Sequence, residues 1–271
     1  MTFHSLRFDR AAATYGAHSQ VQERMADALI GMLPSSGTDL PSASIAATAD
    51  PDAILELGCG TGNFSRRLRA RFPRAVLSAT DAAPRMLAAA QENLRDLPGI
   101  HWSLFDASGE APPVASGPFG LAASNALVQW FPDLRPHFSL IGSLLIPSGG
   151  YLVSGFSRDN FPELNAILEE PPFEYPDYPG HAKAEIASAA EAAGFTVEAY
   201  REEAYGTVQP SPRAFLDSIR GLGSARRPEE ERPLTRARLR LLLDTYQERY
   251  ACAGGVKATW KPWYAWLRKT P

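Results

Sequence analysis

The sequence contains little cysteine and lacks long apolar runs. Cys59 and Cys252 are the two cysteines among 271 residues, and neither belongs to a C-x-x-C pair. A disulfide framework is therefore excluded, and a reducing compartment such as the cytoplasm is expected. Arg7, Asp9 and Arg10 interrupt the first segment, which predicts that it is not a secretory signal. No apolar run approaches the roughly 18 residues that a membrane span needs.

The chain also lacks an excess of charge of one sign. It has 27 Lys and Arg against 30 Asp and Glu, which leaves a net charge of −3. This balance gives no reason to expect broad nucleic-acid binding. Hydrophobic residues make up 45% of the chain, which is enough for one large domain, with or without an embedded lid.

The most informative stretch is 54–64, with the sequence Ile-Leu-Glu-Leu-Gly-Cys-Gly-Thr-Gly-Asn-Phe. A short apolar run contains the acidic Glu56, and Gly58, Gly60 and Gly62 then alternate with small residues before a helical pattern begins. Glycines at this spacing let a strand turn sharply into a helix while the backbone lies directly against a ligand.

The spacing argues against a pyrophosphate site. The pyrophosphate fingerprint G-x-G-x-x-G places its third glycine where Asn63 stands in this chain. Glu56 would also repel a diphosphate, and it suits a cationic amino-acid cofactor better. The E-x-G-x-G-x-G pattern resembles motif I of class I S-adenosylmethionine-dependent methyltransferases, which implies that Glu56 and the three glycines bind S-adenosylmethionine. A glycine turn without a ligand is the alternative.

A strand–helix alternation surrounds this turn. Strands are predicted at Ala53–Leu57, Ala75–Thr80, Ile100–Phe105, Phe119–Asn125 and Gly150–Gly155, and helices at Asn63–Phe72, Pro84–Leu94 and Leu134–Leu145. Such alternation predicts an α/β fold with a doubly wound parallel sheet that binds ligands at the carboxyl ends of its strands. The resemblance implies a Rossmann-like, mostly parallel sheet of seven strands.

The pattern loosens on both sides of this core. We predict an N-terminal helical cover and linker (1–50), the S-adenosylmethionine-binding core (51–202), a C-terminal helical lid insertion (203–256) and a final strand of the core sheet (257–271). Within them, helices are predicted at 9–33, His181–Ala193, Arg213–Leu222 and Thr235–Tyr250, a strand at Phe195–Tyr200, and irregular surface structure at 161–180. Pro262 should confine the final strand to an edge or a bulge.

Acidic residues follow the next two predicted strands. Asp81 ends the second strand about 20 residues after the glycine turn, where a carboxylate can accept hydrogen bonds from ribose hydroxyls. Asp106 ends the third strand, and the resemblance implies that it meets the adenine amino group. Met86 is either a residue that packs on adenine or part of a helix core. Either aspartate alone could be an ordinary turn residue, whereas the succession with Glu56 points to one ligand.

The end of the fourth strand, 124–130, carries further candidates. Asn125 is expected to bond to the amino-acid portion of the cofactor. Trp130 is expected to form a wall of the active site with its ring face toward the sulfonium cation. The alternative is a core tryptophan whose N–H finds its own partner.

Three segments narrow the resemblance from the methyltransferase class to one family within it. They are Phe-Asp-Arg-Ala-Ala-Ala-Thr-Tyr at 8–15, Ser-Asn-Ala-Leu-Val-Gln-Trp at 124–130 and Phe-Leu-Asp-Ser-Ile-Arg-Gly-Leu-Gly at 215–223. These segments look like those of the malonyl-[acyl-carrier protein] O-methyltransferases of biotin synthesis, which methylate the free carboxylate of a malonyl thioester on acyl carrier protein. The chain departs from that family at 146–150, where Ile-Pro-Ser-Gly-Gly replaces a basic residue followed by Pro-Gly-Gly.

A carboxylate acceptor is already ionised at neutral pH, so it needs no general base. Arg220 is the candidate that orients it, because a guanidinium can hold a carboxylate bidentately. A solvated helix arginine is the alternative. Tyr15 is expected to touch the acceptor, and His18 is a weaker candidate. Basic residues that could receive an acidic carrier protein are Arg226, Arg227, Arg236, Arg238 and Arg240.

Other functions remain open at this point. The chain could methylate another carboxylic acid or a quinone precursor, or it could be a non-catalytic module that binds S-adenosylmethionine. No metal site, nucleic-acid partner or membrane partner is expected.

Overall fold

A computed structural model describes residues 8–10, 12, 15–16, 19–33, 50–108, 117–173, 180–221 and 235–271. His18, Arg226, Arg227 and most of the predicted linker lie outside the described residues. None of the described helices is long and apolar enough to cross a membrane.

A seven-stranded sheet organises the chain, in the order β3-β2-β1-β4-β5-β10-β6. Its strands are β1 (Ala53–Leu57), β2 (Val76–Asp81), β3 (Ile100–Leu104), β4 (Phe119–Ser124), β5 (Leu145–Phe156), β6 (Phe195–Glu202) and β10 (Pro262–Lys269). The pairs from β3 to β5 are parallel, and β10 is antiparallel to both of its neighbours. The predicted α/β fold with a mostly parallel, doubly wound sheet is confirmed. The strand order reverses between β1 and β4, which is where such sheets bind ligands.

Helices cover both faces of the sheet. They are α1 (Gln20–Met32), α2 (Asn63–Arg71), α3 (Pro84–Asn93), α4 (Leu134–Leu144), α5 (Pro162–Leu168), α6 (Lys183–Ala192), α7 (Pro212–Gly221) and α8 (Arg236–Tyr250). Side chains of β1 alternate between two apolar cores, with Ile54 in one and Leu55 and Leu57 in the other, as the two-residue period of a strand requires. The sheet is therefore buried on both faces, which is typical of parallel sheets.

Helix α1 lies against α2 and begins the N-terminal cover. Asn63 Nδ2 donates to Glu23 Oε1 at 3.3 Å, and Arg67 Nε bonds to Asp27 Oδ1 at 2.5 Å. Met25 is fully buried against the core that α2 also faces. The cover is thereby anchored beside the helix that follows the glycine turn.

The prediction of irregular surface structure at 161–180 was wrong for the part of this stretch that forms a helix. This stretch contains α5, and the side chains of Phe161, Ile167 and Phe173 are buried. The buried Glu163 carboxylate of this helix accepts two hydrogen bonds from Thr259, one from the backbone N–H at 3.0 Å and one from the side-chain hydroxyl at 2.6 Å. The many prolines and tyrosines of this stretch favoured irregular structure, so its short apolar helix was not predicted.

The sequence pattern also did not predict a second, three-stranded sheet, in the order β7-β9-β8. Its strands are β7 (Tyr205–Gln209), β8 (Ala251–Cys252) and β9 (Gly255–Trp260). The prediction that Pro262 confines the last strand to an edge or bulge was wrong, because β10 lies between β5 and β6. Pro262 is the first residue of β10, where the missing N–H is tolerated even in an interior strand.

Packing of β10 on β5 generates a test of the fold. A Cβ added to Gly150 would lie 1.9 Å from the Trp266 ring, whereas a Cβ on Gly206 in β7 would meet nothing within 4 Å. We expect Gly150→Ala to lower the free energy of unfolding by about 2 kcal/mol or more, because overpacking displaces a core ring. Gly206→Ala is the matched control and should change it by less than about 0.5 kcal/mol. Equal stabilities of the two variants in denaturant titrations would contradict this packing.

Candidate active site

The glycine turn joins β1 to α2 in a conformation that ordinary side chains resist. Gly58, Gly60 and Gly62 have φ of 67°, 55° and 91°, in the left-handed region that costs glycine nothing. Cys59 N donates to Thr80 O at 2.9 Å, and Gly62 N donates to Cys59 O at the same distance. The turn is thus held against the end of β2, with backbone available to approach a ligand.

Asp81, the last residue of β2, fixes the turn through its carboxylate. One oxygen accepts a bond from Gly60 N at 2.9 Å and the other from Ala83 N at 2.8 Å. Burial raises the pKa of Asp81 to about 6, although these backbone donors lower it, and the charge of Asp106 raises it further. Each oxygen keeps a lone pair, so the group can still accept the ribose hydroxyls expected of it.

Glu56 is the least satisfied polar group at this edge. It is 1% exposed, and neither carboxylate oxygen has a hydrogen-bond partner of normal geometry. Burial raises its pKa from 4.5 to about 8; nearby Ser65 lowers it, and the charge of Asp81 raises it. A buried carboxylate of this kind is stabilised by a cation, so the site fits a ligand with ammonium and sulfonium groups.

Asp106 follows β3 and completes the acidic cluster. It is half-buried, and its Oδ1 accepts bonds from Ser108 N at 3.1 Å and from Ser108 Oγ at 2.6 Å. Its charge raises the pKa of Asp81. Asp106 and the glycine turn therefore lie at the same end of the sheet. Met86 is 1% exposed in the first turn of α3. Its burial agrees with both roles predicted for it.

Asn125 serves first as a tie between elements. Its Nδ2 donates to Gln22 O at 2.9 Å, and its Oδ1 accepts from Ser154 Oγ at 2.8 Å. Ala126 follows with a φ of 53° and donates to Ser154 Oγ at 3.2 Å. Asn125 therefore joins the end of β4 to α1 and β5, and its contact with the cofactor stays a prediction.

The N-terminal cover crosses the carboxyl edge of the sheet. A Cβ added to Gly60 would lie 3.8 Å from Tyr15 Cε1, so the tyrosine ring stands over the glycine turn. Phe8 packs edge-on against Trp130, with ring centroids 5.6 Å apart. The structure therefore brings Tyr15 and Trp130 to the edge that carries the buried carboxylates.

Asp9 is an anchor of this cover that the sequence analysis did not single out. Its carboxylate accepts a bond from Arg85 N at 2.8 Å and pairs with Arg85 Nε at 3.5 Å. The contact fastens the cover to the first turn of α3. The segment 8–15 had signalled the neighbourhood, but an aspartate near a chain end has no pattern that reveals such a partner.

Arg220 lies at the surface of α7. Its side chain is 58% exposed, and Nη1 is 3.7 Å from Asp217 Oδ1. Phe215 and Ile219 bury the other side of this helix. An exposed pair at this distance stabilises little, so Arg220 can exchange Asp217 for another carboxylate at small cost.

Within the described residues, no group of three or more His, Cys, Asp or Glu side chains could hold a metal ion.

Sequence comparisons agree with the geometry. A family described as "Methyltransferase domain" matches residues 54–149, from β1 into β5. The chain is 30% identical to a malonyl-[acyl-carrier protein] O-methyltransferase of Magnetococcus marinus, over 86% of this chain and 81% of that protein. It is 28% identical to a protein of the same name from Ilyobacter polytropus, over 93% of this chain and 88% of the relative.

Solved structures show the same fold. A candidate methyltransferase of Bacillus halodurans superposes with a TM-score of 0.62 at 15% identity, covering 91% of this chain and 99% of the other. A geranyl diphosphate C-methyltransferase of Streptomyces coelicolor, solved in complex with S-adenosyl-L-homocysteine, gives 0.53 at 13% identity, with 91% and 76% covered.

The burial of Glu56 generates a prediction about pH. Between pH 4.5 and about 8 the folded chain keeps a proton that the unfolded chain has lost, so this group lowers stability as pH rises through that window. We expect Glu56→Gln without ligand to be more stable than the parent at pH 8 by about 1 to 3 kcal/mol, and nearly equal at pH 4.5.

The same variant should bind S-adenosylmethionine at least about tenfold more weakly, because a bond to a charged group is lost. Denaturant titrations at both pH values and calorimetric binding measure the two effects. Ser65→Ala is the control: it keeps the Glu56 carboxylate and removes only a neighbouring hydroxyl that lowers the pKa of that group, so its stability should still fall between pH 4.5 and 8. A variant that loses stability at pH 8 and binds the ligand normally would contradict the role of Glu56.

Proposed function

We propose that this chain, which belongs to the family of malonyl-[acyl-carrier protein] O-methyltransferases, methylates the free carboxylate of a malonyl thioester carried by acyl carrier protein. The chain is an S-adenosylmethionine-dependent methyltransferase, and S-adenosylmethionine is its methyl donor. The observation that carries the proposed acceptor is the extent of the similarity. It reaches 86% to 93% of the chain, beyond the core at 54–149 and into the cover and helices that surround the site.

Different residues of the core bind different parts of the cofactor in this proposal. S-adenosylmethionine supplies a methyl group on a sulfonium, with a neutral thioether as the leaving group. In our proposal Glu56 faces its cationic amino-acid portion, and Gly58, Gly60 and Gly62 let the backbone lie against it. Asp81 accepts the ribose hydroxyls and Asp106 the adenine amino group. This division follows from the order of the strands, since each acidic residue lies in or after a successive parallel strand.

The N-terminal cover excludes water from the active site in this proposal. Displacement at a methyl group depends on holding the two reactants in line and dry. Tyr15 stands over the glycine turn, and Trp130 is 8% exposed beneath Phe8. In this proposal Tyr15 and Trp130 would line the site of the methyl donor, and Asn125 holds the segment that carries Trp130.

The acceptor needs orientation and no base. A carboxylate with an ordinary pKa near 4 is ionised at neutral pH, and a guanidinium can hold it while leaving a lone pair for attack. Arg220 is the residue to which we assign this task. Its pair with Asp217 is long and exposed, so the arginine is available when a malonyl group enters.

The first turns of α8 suit an acidic carrier protein. Arg236 and Arg240 are exposed and Arg238 is half-buried, and this helix has no acidic residue in its first turn. Cations at a helix N-terminus oppose the helix dipole, so they do not serve the stability of α8. They favour association with an acidic partner.

The activity itself is tested with labelled S-adenosylmethionine and three acceptors: malonyl acyl carrier protein, malonyl coenzyme A and free small carboxylic acids. We expect methyl ester formation on the carrier protein, at a kcat/KM at least about tenfold above the other two. Preference for a free acid would replace the acceptor by a small molecule. Binding of the cofactor without transfer to any acceptor would make the chain a binding module.

Arg220 offers a sharper test with a matched control on the same helix. Arg220→Ala should raise the KM for malonyl acyl carrier protein about tenfold or more, because a charged hydrogen bond is lost, and should leave affinity for S-adenosylmethionine unchanged. Arg213→Ala removes another exposed arginine that pairs with Asp217, at 3.0 Å, and should leave both constants unchanged. The assignment fails if both variants methylate malonyl acyl carrier protein like the parent.

A further inference from the structure

A chain of buried polar groups links the loop after β3 to the end of β4. Ser124 Oγ lies 2.7 Å from Tyr151 Oη, Tyr151 Oη lies 2.9 Å from His137 Nε2, and His137 Nδ1 lies 3.4 Å from Ala107 O. Ser124 and Tyr151 are fully buried, and His137 is 4% exposed. Four elements thereby meet through side chains that the proposed mechanism does not use.

The direction of each hydrogen bond is fixed. Ala107 O only accepts, so His137 Nδ1 carries a proton and donates it. Burial lowers the pKa of His137 to about 4, so at neutral pH the ring holds no second proton and Nε2 accepts from Tyr151. Tyr151 Oη then accepts from Ser124 Oγ. The tyrosine therefore selects the histidine tautomer that can support Ala107.

The position of the ring is fixed as well. Its centroid is 4.6 Å from that of Phe131, at an interplanar angle of 30°, and Phe138 and Tyr151 lie within 6.0 Å. Ala107 and Ser108, the two residues after Asp106, border a cavity of about 560 Å³ that His137 and Phe131 also line. Ala107 is buried in an apolar core, and its carbonyl accepts the bond from His137 beside this cavity.

We propose that His137, held in its Nδ1–H tautomer by Tyr151, is a positioning residue that sets the loop carrying Asp106 for recognition of the adenine ring. Ala107 is the next residue after Asp106, so a bond to its carbonyl fixes the backbone from which the carboxylate extends. The inference rests on the proposed cofactor role of Asp106 and is independent of the acceptor.

Two variants separate the nitrogens of the ring. Asparagine places an N–H₂ near the position of Nδ1, so His137→Asn should keep the bond to Ala107 O. Glutamine reaches the position of Nε2, so His137→Gln should keep Tyr151 as a partner and lose Ala107. We expect His137→Gln to bind S-adenosylhomocysteine about tenfold more weakly and His137→Asn less than about threefold, in line with the loss of one neutral hydrogen bond.

Selectivity for the base distinguishes positioning from simple destabilisation. The probe is calorimetric binding of S-adenosylhomocysteine and of its hypoxanthine analogue, which lacks the amino group expected to meet Asp106. The parent should prefer the adenine form by about tenfold. Asp106→Ala and His137→Gln should each bring that preference below about threefold, and His137→Asn should restore it. The double variant Asp106→Ala/His137→Gln should lose no more selectivity than Asp106→Ala alone.

The outcomes separate the two proposals. Equal weakening of both ligands by His137→Gln, while Asp106→Ala abolishes the preference, would overturn the positioning role and leave the cofactor role of Asp106 intact. A preference that survives Asp106→Ala would overturn that cofactor role and this inference with it. Methylation of malonyl acyl carrier protein is measured separately and bears on neither result.

Discussion

A buried carboxylate without a hydrogen-bond partner of normal geometry raises the free energy of a folded chain, and Glu56 is such a group at the point where β1 enters the glycine turn. Asp81 lies close enough for its charge to act on Glu56, and Asp106 close enough to act on Asp81. Without a ligand, burial raises the pKa of Glu56 and of Asp81, so both acids keep their protons to a higher pH than usual. In the proposed function, the same acids bind the cationic methyl donor. The parallel sheet keeps these three acidic residues together at one edge.

Parallel topology makes the cluster possible. The carboxyl ends of parallel strands meet at one edge of a sheet, so Glu56 within β1, Asp81 at the end of β2 and Asp106 after β3 converge although they are far apart in sequence. The cover then closes the edge through contacts of Phe8, Asp9 and Tyr15. The buried polar chain from Ser124 to Ala107 supports the same edge from within the core.

The sequence predicted what local pattern encodes. Ala53–Leu57 was predicted with its observed bounds, and the other strands and helices of the core up to Leu144 within one or two residues, because apolar runs, glycines and prolines mark them directly. The strand predicted at Gly150–Gly155 begins five residues earlier, at Leu145, since Pro147 and two glycines had favoured a loop before it. Convergence of Glu56, Asp81 and Asp106 followed from the alternation of strands and helices. The position of Pro262 in an interior strand and the helix at Pro162–Leu168 did not, since both depend on contacts with residues distant in the chain. The tautomer of His137 needs Tyr151 and Ala107 together, which no local pattern predicts.

The most direct measurement of the central claim is the number of protons exchanged when S-adenosylmethionine binds, from calorimetry in buffers of different ionisation enthalpy. At about pH 6.5 the amino group of the ligand is already protonated, whereas Glu56, with a pKa of about 8, still holds its proton in the free protein. The account predicts that binding releases close to one proton and that Glu56→Gln releases markedly fewer. Binding of S-adenosylmethionine to the parent chain without proton release, or with proton uptake, would contradict it.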